Sequence, residues 1–588
     1  MRIADSYTRR PYFWLRETRI VNSPTTKFYH LDRDTSNRSG RVNSLWALLA
    51  GGVAVIGVSA FLLSRGGPGQ APKGQTLVLH CAAGIRVPVE EVAAEYEEKY
   101  GVHIELQYGG SNTLLNQIQV NKFGTSDLYL AADDFYTDKA HEEGLADERL
   151  TIAYMRPVIA VAKDNPKKIQ SIRDLLKEDV RVSLGSPEQA AVGRAVRKRL
   201  KPHQVDDSDL WTKLEEHVTD VGVFKPTVND VANDVVIGTA DAGIVWDSTV
   251  AMPKYGEKLI GIPVDELDGD PNLISICVLT SSKQPTAALK FARYLAASDR
   301  GLPVFKKYGM RPVDGDIWVD NPEITFYCGA INRRAVAQVV DEFSEREGVS
   351  VNTVYDGCGI LTGRMKTIDG QSPALGFPDV YMACDRYYLD NVKEWFQDDA
   401  NVSDAEIVIV VPKGSDRVKT PADLIKPGIR VSIGQPEQCT IGALTRRMLK
   451  EQGLYEKLKQ KQKTDGEVVV EKSSSALLIP DVISRHADAT IAYITDTVAT
   501  RKDIDIIKIE SPLNLAIQPF SIARTSVHKH LVRRLFARVA DAKDSFEKAG
   551  FRFRLGVGQE ESGAASKQSP AEPTPEVETT ATSEINAT

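Results

Sequence analysis

The sequence predicts an α/β chain in which one exported domain type occurs twice in tandem, behind a single transmembrane helix. Three observations predict it. Short apolar strand-like runs alternate with helical stretches along most of the chain. The same ordered set of sequence blocks returns about 245 residues later, a period that fits whole domains rather than a solenoid. One uncharged apolar run of membrane length stands near the N-terminus.

That run, SLWALLAGGVAVIGVSAFLLS, spans Ser44 to Ser64. At about 1.5 Å per residue it can cross the roughly 30 Å hydrocarbon core of a bilayer, and Trp46 sits where an amphipathic ring prefers the interface. Residues 1–43 carry Arg2, Arg9, Arg10, Arg16, Arg19, Lys27, Arg33, Arg38 and Arg41 against Asp5, Glu17, Asp32 and Asp34. The positive-inside rule keeps this basic arm in the cytoplasm and exports the chain beyond Arg65. The expected location is the inner membrane, single-pass, with periplasmic binding domains. A cleaved signal peptide is the alternative, but its charged region is short and its apolar region about 7–15 residues. No second apolar run of this kind occurs, so the chain does not build a pore by itself.

Residues 65–75, RGGPGQAPKGQ, read as a linker. Leu77-Val78-Leu79-His80 then reads as a strand, Val87 to Tyr100 as a helix stopped by Gly101, and Val102 to Leu106 as an alternating strand. LYLAAD, VIAVAK, VRVSLG and AGIVW read as later strands, which points to mostly parallel sheets. The repeat is explicit. CAAGIRVPVEEVAAEYEEKYGV from Cys81 lines up with CGAINRRAVAQVVDEFSEREGV from Cys328, and both units place a glycine at the helix end, Gly101 and Gly348. SDLYLAAD matches PDVYMACD, RVSLGSPEQ matches RVSIGQPEQ, and ADAGIVW matches ADATIAY, in the same order. The domains expected are 76–318 and 319–555. The tail, 556–588, lacks aromatic residues from Val557 onward and cannot bury a core.

Bulk composition narrows the function. A net charge of −7 argues against a nucleic-acid binder. Six cysteines in 588 residues are too few for a disulfide scaffold. No HExxH or Walker-type loop stands in a working context, the nine histidines lack metal-ligand spacing, and the acidic pairs Glu90-Glu91 and Glu97-Glu98 read as solvated helix faces. An enzyme is therefore not expected, and no cofactor or metal is implied.

The chemistry sits at the strand-to-helix turns. In open α/β sheets ligands bind beyond the carboxyl ends of strands. His80-Cys81-Ala82-Ala83-Gly84, Tyr108-Gly109-Gly110-Ser111-Asn112-Thr113 and Gly185-Ser186-Pro187-Glu188-Gln189 are such turns. Small residues let a ligand approach the backbone, and helix starts offer unpaired N–H groups and partial positive charge to an anion.

With these blocks in this order, Leu77 to about Val313 and again Ile324 to about Arg554 resemble the molybdate-type periplasmic solute-binding proteins of ABC importers. FKKYGMRP, Phe305 to Pro312, looks like that family's closing segment. The resemblance implies two tandem periplasmic-binding-protein domains of type 2, each with two lobes that close over a ligand. It implies an oxyanion such as molybdate or tungstate as ligand and an ABC permease as partner in the same membrane. The family's hydrogen-bonding positions fall on Gly84, Ser111, Val192, Val228 and Trp246 in the first unit, and on Ile331, Cys358, Ile441, Ser475 and Tyr493 in the second. Neither unit keeps both family hydroxyls on its first two loops.

Two features compete to compensate. Arg86, just past the first loop, either supplies a charge-assisted bond to the anion or is a solvated helix-start arginine. Cys328, Cys358, Cys384 and Cys439 fall near the second cleft and admit three readings: a soft-metal or thiol-reactive site, one or two disulfides, or small packing residues. The alternative function is a sensor or docking ectodomain in which one or both clefts are degenerate.

Overall fold

The computed structural model describes residues 74–121, 124, 126–368 and 376–555. The expected arm, transmembrane span, tail and all of the linker but Gly74 and Gln75 lie outside the described residues. Among the described residues no helix is long and apolar enough to cross a membrane.

The first unit is built on two sheets. One runs Arg311–Pro312, Ala146–Met155, Asn272–Leu279, Leu128–Ala131, Gln75–Ala82, Val102–Gly109; the other runs Leu259–Ile262, Pro157–Ala162, Ala242–Trp246, Val182–Gly185, Val223–Lys225. Each sheet is the floor of one lobe. The chain crosses between them at Arg156 and returns after Ile262. The expectation of mostly parallel sheets is corrected here. Gln75–Ala82 pairs in parallel with its neighbours, but the strands that carry the chain into and out of the second lobe pair antiparallel. A chain that must cross a hinge and come back sends its return strand in the opposite direction.

The second unit repeats this order, from Ser350–Asp356 through Glu323–Gly329, Val380–Met382, Leu515–Ala523, Phe396–Pro412, Ala489–Tyr493 and Val431–Gly434 to Val469–Lys472. Its difference is one unbroken strand, Phe396–Pro412, which pairs with Leu515–Ala523 in one lobe and with Ala489–Tyr493 in the other. Opposite Trp246 the first unit has Pro157, where the second has Ile407 opposite Tyr493. Proline has no N–H to continue a ladder, so the first unit's crossing strand breaks there.

Local signals are duplicated too. The helices Arg86–Tyr100 and Arg333–Glu347 both end in a left-handed glycine, Gly101 at φ 68° and Gly348 at φ 64°, a conformation that costs a residue with a Cβ. Capping boxes Ser171/Asp174 and Thr420/Asp423 start equivalent turns. Two main apolar cores result, one reaching from Leu77 to Trp318 and the other starting at Ile324.

Two buried carboxylates join the units. Glu347 accepts from Arg293 at 2.8 Å and Arg534 at 2.6 Å. Glu148 accepts from Arg346 at 2.7 Å and Arg538 at 2.5 Å. Burial works to raise the Glu347 carboxyl, but the Arg534 and Arg293 guanidiniums prevail and hold it below the usual range.

Candidate functional site

In the first unit, four chain segments meet between the lobes. The turn Ala82–Gly84 follows the strand Gln75–Ala82, and the helices Ser111–Val120, Ala191–Leu200 and Val228–Val236 point their starts at the same cavity. Gly110 and Ala190 occupy the capping positions of the first two helices, and neither supplies a side-chain acceptor. Without a serine or aspartate cap, the N–H groups at these helix starts are open to other partners: the Asn112 N–H takes the Gln189 carbonyl, and the rest are available to a ligand in the cavity. Ser111 is buried, and its Oγ accepts the Ala132 N–H at 3.2 Å, which leaves the hydroxyl proton to donate.

A fifth wall is Trp246. The indole edge faces Gly84: a Cβ at residue 84 would lie 3.5 Å from Cδ1 and 3.8 Å from Nε1 of Trp246, and 2.8 Å from Cγ1 of Val228. Val228 therefore occupies the room that a serine side chain at 84 would need. Val192, the second residue of its helix, is also buried and lines the cavity. Among the described residues no Asp, Glu, Lys or Arg lines it. The cavity measures about 20 Å³, little more than the roughly 10–15 Å³ that one water needs, so it excludes a large organic ligand.

The lobes are closed by side chains the sequence reading did not single out. Asn112 Nδ2 donates to the Glu188 carbonyl at 2.8 Å, and the Asn112 N–H to the Gln189 carbonyl at 3.2 Å. From the other lobe, Asn229 Nδ2 donates to the Ala83 carbonyl at 2.7 Å. Arg194 and Asp133 form an ion pair at 3.3 Å. Arg86 lies outside this assembly. Its side chain is 53% exposed, pairs with Glu90 at 2.8 Å one turn along its helix, and stacks over Tyr108. The solvated reading is the one this geometry matches.

The second cleft is built on the same frame with different chemistry. Cys358 takes the place of Ser111, and its Sγ accepts the Cys384 N–H at 3.1 Å as Ser111 Oγ accepts Ala132. Ile331 and Ile441 are buried apolar residues. Tyr493 is buried and its hydroxyl has no hydrogen-bond partner among the described residues. Beside Ser475 stands Asp496, the counterpart of Thr249 by the aligned blocks. The residue is partly exposed, but its Oδ2 is buried without a partner among the described residues. Burial pushes this carboxyl up to about 6, against a hydrogen bond from Ser475 and the charge of Arg334. This cleft is closed too: Tyr388 donates to the Pro436 carbonyl at 3.4 Å, and a Cβ at Gly357 would meet the Gln438 carbonyl oxygen at 2.5 Å.

The six cysteines are all buried thiols. Cys81 and Cys328 sit in equivalent strand positions, and burial pushes both thiols up, as suits packing residues. Cys439, the counterpart of Ala190, precedes the helix Thr440–Glu451, its thiol donating to the Lys472 carbonyl. No group of three or more His, Cys, Asp or Glu is arranged to hold a metal among the described residues.

The chain is similar to molybdate-binding protein ModA of Mycobacterium tuberculosis, 28% identical over 254 residues, 43% of this chain and 90% of that protein. It is similar to molybdate-binding protein ModA of Escherichia coli, 23% identical over 247 residues, 40% of this chain and 94% of that protein. Among solved structures it is similar to the periplasmic molybdate-binding protein of Azotobacter vinelandii, 16% identical with a TM-score of 0.34, over 40% of this chain and all of that one. Residues 77–311 and again 324–552 match the bacterial extracellular solute-binding protein family. These matches span most of the sequence, and the chain belongs to that family, carrying its domain twice.

Proposed function

We propose that this chain is a membrane-anchored solute-binding protein that captures a molybdate- or tungstate-like oxyanion outside the cytoplasm and presents it to an ABC permease. In this reading residues 1–43 are the cytoplasmic arm, 44–64 the anchor, 65–75 the linker, 76–318 and 319–555 the binding domains, and 556–588 the tail. The observation that carries it is the first cleft: uncapped helix starts, the Ser111 hydroxyl and the Trp246 indole converge on a small cavity lined, among the described residues, by no charged side chain. Neutral donors held rigid in a buried site stabilise an anion without an ion pair. Among the described residues the same lining offers no carboxylate to accept a hydrogen bond from a P–OH. It therefore favours fully deprotonated dianions over phosphate, which carries a proton at neutral pH. The relatives named for molybdate point the same way.

The second cleft supports a separate reading. A carboxyl at Asp496, isoleucine at position 331 where the first unit has Gly84, and a thiol in place of the Ser111 hydroxyl do not favour an oxyanion. This domain acts as a docking or spacing unit beside the one that captures.

Isothermal titration of the full chain in detergent, against molybdate, tungstate, sulfate and phosphate, tests both readings. One equivalent of molybdate or tungstate bound, with phosphate weaker, is the expected outcome. Two equivalents would remove the second reading, and no heat with any anion would remove the first.

A further inference from the structure

We propose that Cys358 and Cys384 form an intrachain disulfide across the floor of the second cleft. Their Sγ atoms stand 2.8 Å apart, closer than two non-bonded sulfurs ordinarily sit. Both are aimed at one point: a Cβ at Gly329 would lie 2.8 Å from Cys358 Sγ and nearer still to Cys384 Sγ. In the first unit the three corresponding residues are Ala82, Ser111 and Ala132. The second unit has thus gained two sulfurs and lost the one methyl group that would collide with them. The family places these domains outside the cytoplasm, where disulfides form and persist.

The chemistry has a direction. Cys358 opens the helix Cys358–Ile368, and a helix start favours a thiolate. Burial works to raise its thiol, but hydrogen bonding from Cys384 prevails and holds it below its ordinary value; burial and the Cys358 sulfur push Cys384 well up. Cys358 is therefore the attacking sulfur. Its thiolate displaces one thiolate from a disulfide donor, a small-molecule or protein disulfide of the exterior, giving a mixed disulfide. The Cys384 sulfur, its proton lost to solvent, then attacks Cys358 Sγ and expels the second donor thiolate. Two S–H bonds are lost, one S–S bond forms, and the donor leaves as two thiols. Both cysteines are buried behind closed lobes, so the exchange precedes closure. Once formed, the bond ties the helix start to the turn that follows the strand Val380–Met382 and removes the thiol at the position of Ser111.

The full chain, purified without reductant from the membrane of its host, is denatured, alkylated and digested. Mass spectrometry is expected to find a peptide linked through Cys358 and Cys384, with four of the six cysteines alkylated. Reduction is expected to lower a thermal transition by roughly 5–10 °C. Cys384→Ala, which restores the first unit's residue, should give five alkylated cysteines and no response to reductant; Cys439→Ala should keep the linkage. Six alkylated cysteines, even after equilibration of the folded chain with oxidised glutathione, or a linkage through other cysteines, overturns the proposal.

Discussion

The two clefts share a frame and differ at its contact points. In the first, a hydroxyl, an indole N–H and uncapped helix starts surround a small space. In the second, the hydroxyl position is a thiol against another thiol, the aromatic hydroxyl of Tyr493 is buried without a partner among the described residues, and a carboxyl stands where the first unit has Thr249. A strand-to-helix frame is fixed by backbone ladders and a shared core, so a duplicated copy can exchange its contact residues without losing the fold. The hinge differs as well, with a break at Pro157 in one unit and a continuous 17-residue strand in the other.

The comparison is sharpest when the units can be observed separately. The largest expected effect comes from Glu347→Ala, which strips the shared partner from Arg293 and Arg534. Leaving buried charge unpaired costs about 3–5 kcal/mol. Calorimetry should then resolve two transitions where the parent chain gives more concerted unfolding; a single unshifted transition would show that the units are not held together here. In the parent chain this contact also has a pH sign. Glu347 is held below its ordinary value, so its stabilisation is present above about pH 4.3 and is lost as the pH falls through its lowered folded value.

Asp496 has the opposite sign and comes next. Its folded carboxyl is raised to about 6, so its stabilisation is full below about pH 4 and is lost as the pH rises through 6. The second unit should be less stable at pH 8 than at pH 4 by up to about 3 kcal/mol. Asp496→Asn should flatten that slope in denaturant titrations; an unchanged slope would place the titration elsewhere.

Trp246→Phe keeps most of the volume and removes the N–H. Losing one charge-assisted bond of about 1.5–3 kcal/mol should weaken anion affinity roughly 10- to 100-fold by titration calorimetry. Tyr493→Phe should leave affinity unchanged and stabilise the second unit by up to about 1 kcal/mol, because it removes an unpartnered buried hydroxyl. Equal losses in the two variants would mean that both clefts bind. The smallest effect concerns the hinges: amide exchange across Val402–Val410 should be slower than across Ala153–Val161. Equal protection would show that Pro157 does not loosen the first hinge.

Much of the fold was legible because it is encoded locally and written twice. Gly101 and Gly348 mark helix ends through backbone sterics alone, and the alternating runs mark strands through burial on one face. The turn residues of the first cleft were legible for the same reason, since small residues ahead of a helix expose its N–H groups. Arg86 was not, because sequence distance from a loop says nothing of which way a helix turns its side chain; Glu90, one turn on, holds it in solvent. Asp496 was legible only as an aligned aspartate in place of Thr249, since its charge state depends on enclosure.

The sequence by itself determined the duplication, the alternation of strands and helices and the cleft-facing turns, because period, capping and repeat order act over a few neighbouring residues. Only the tertiary structure decided the mixed strand directions, the Asn112 and Asn229 bonds across the lobes, the paired sulfurs of Cys358 and Cys384, and the Arg–Glu clusters between the units. Those depend on side chains distant in the chain meeting at specific distances out of water, and the energy of each is set by that burial rather than by its place in the sequence.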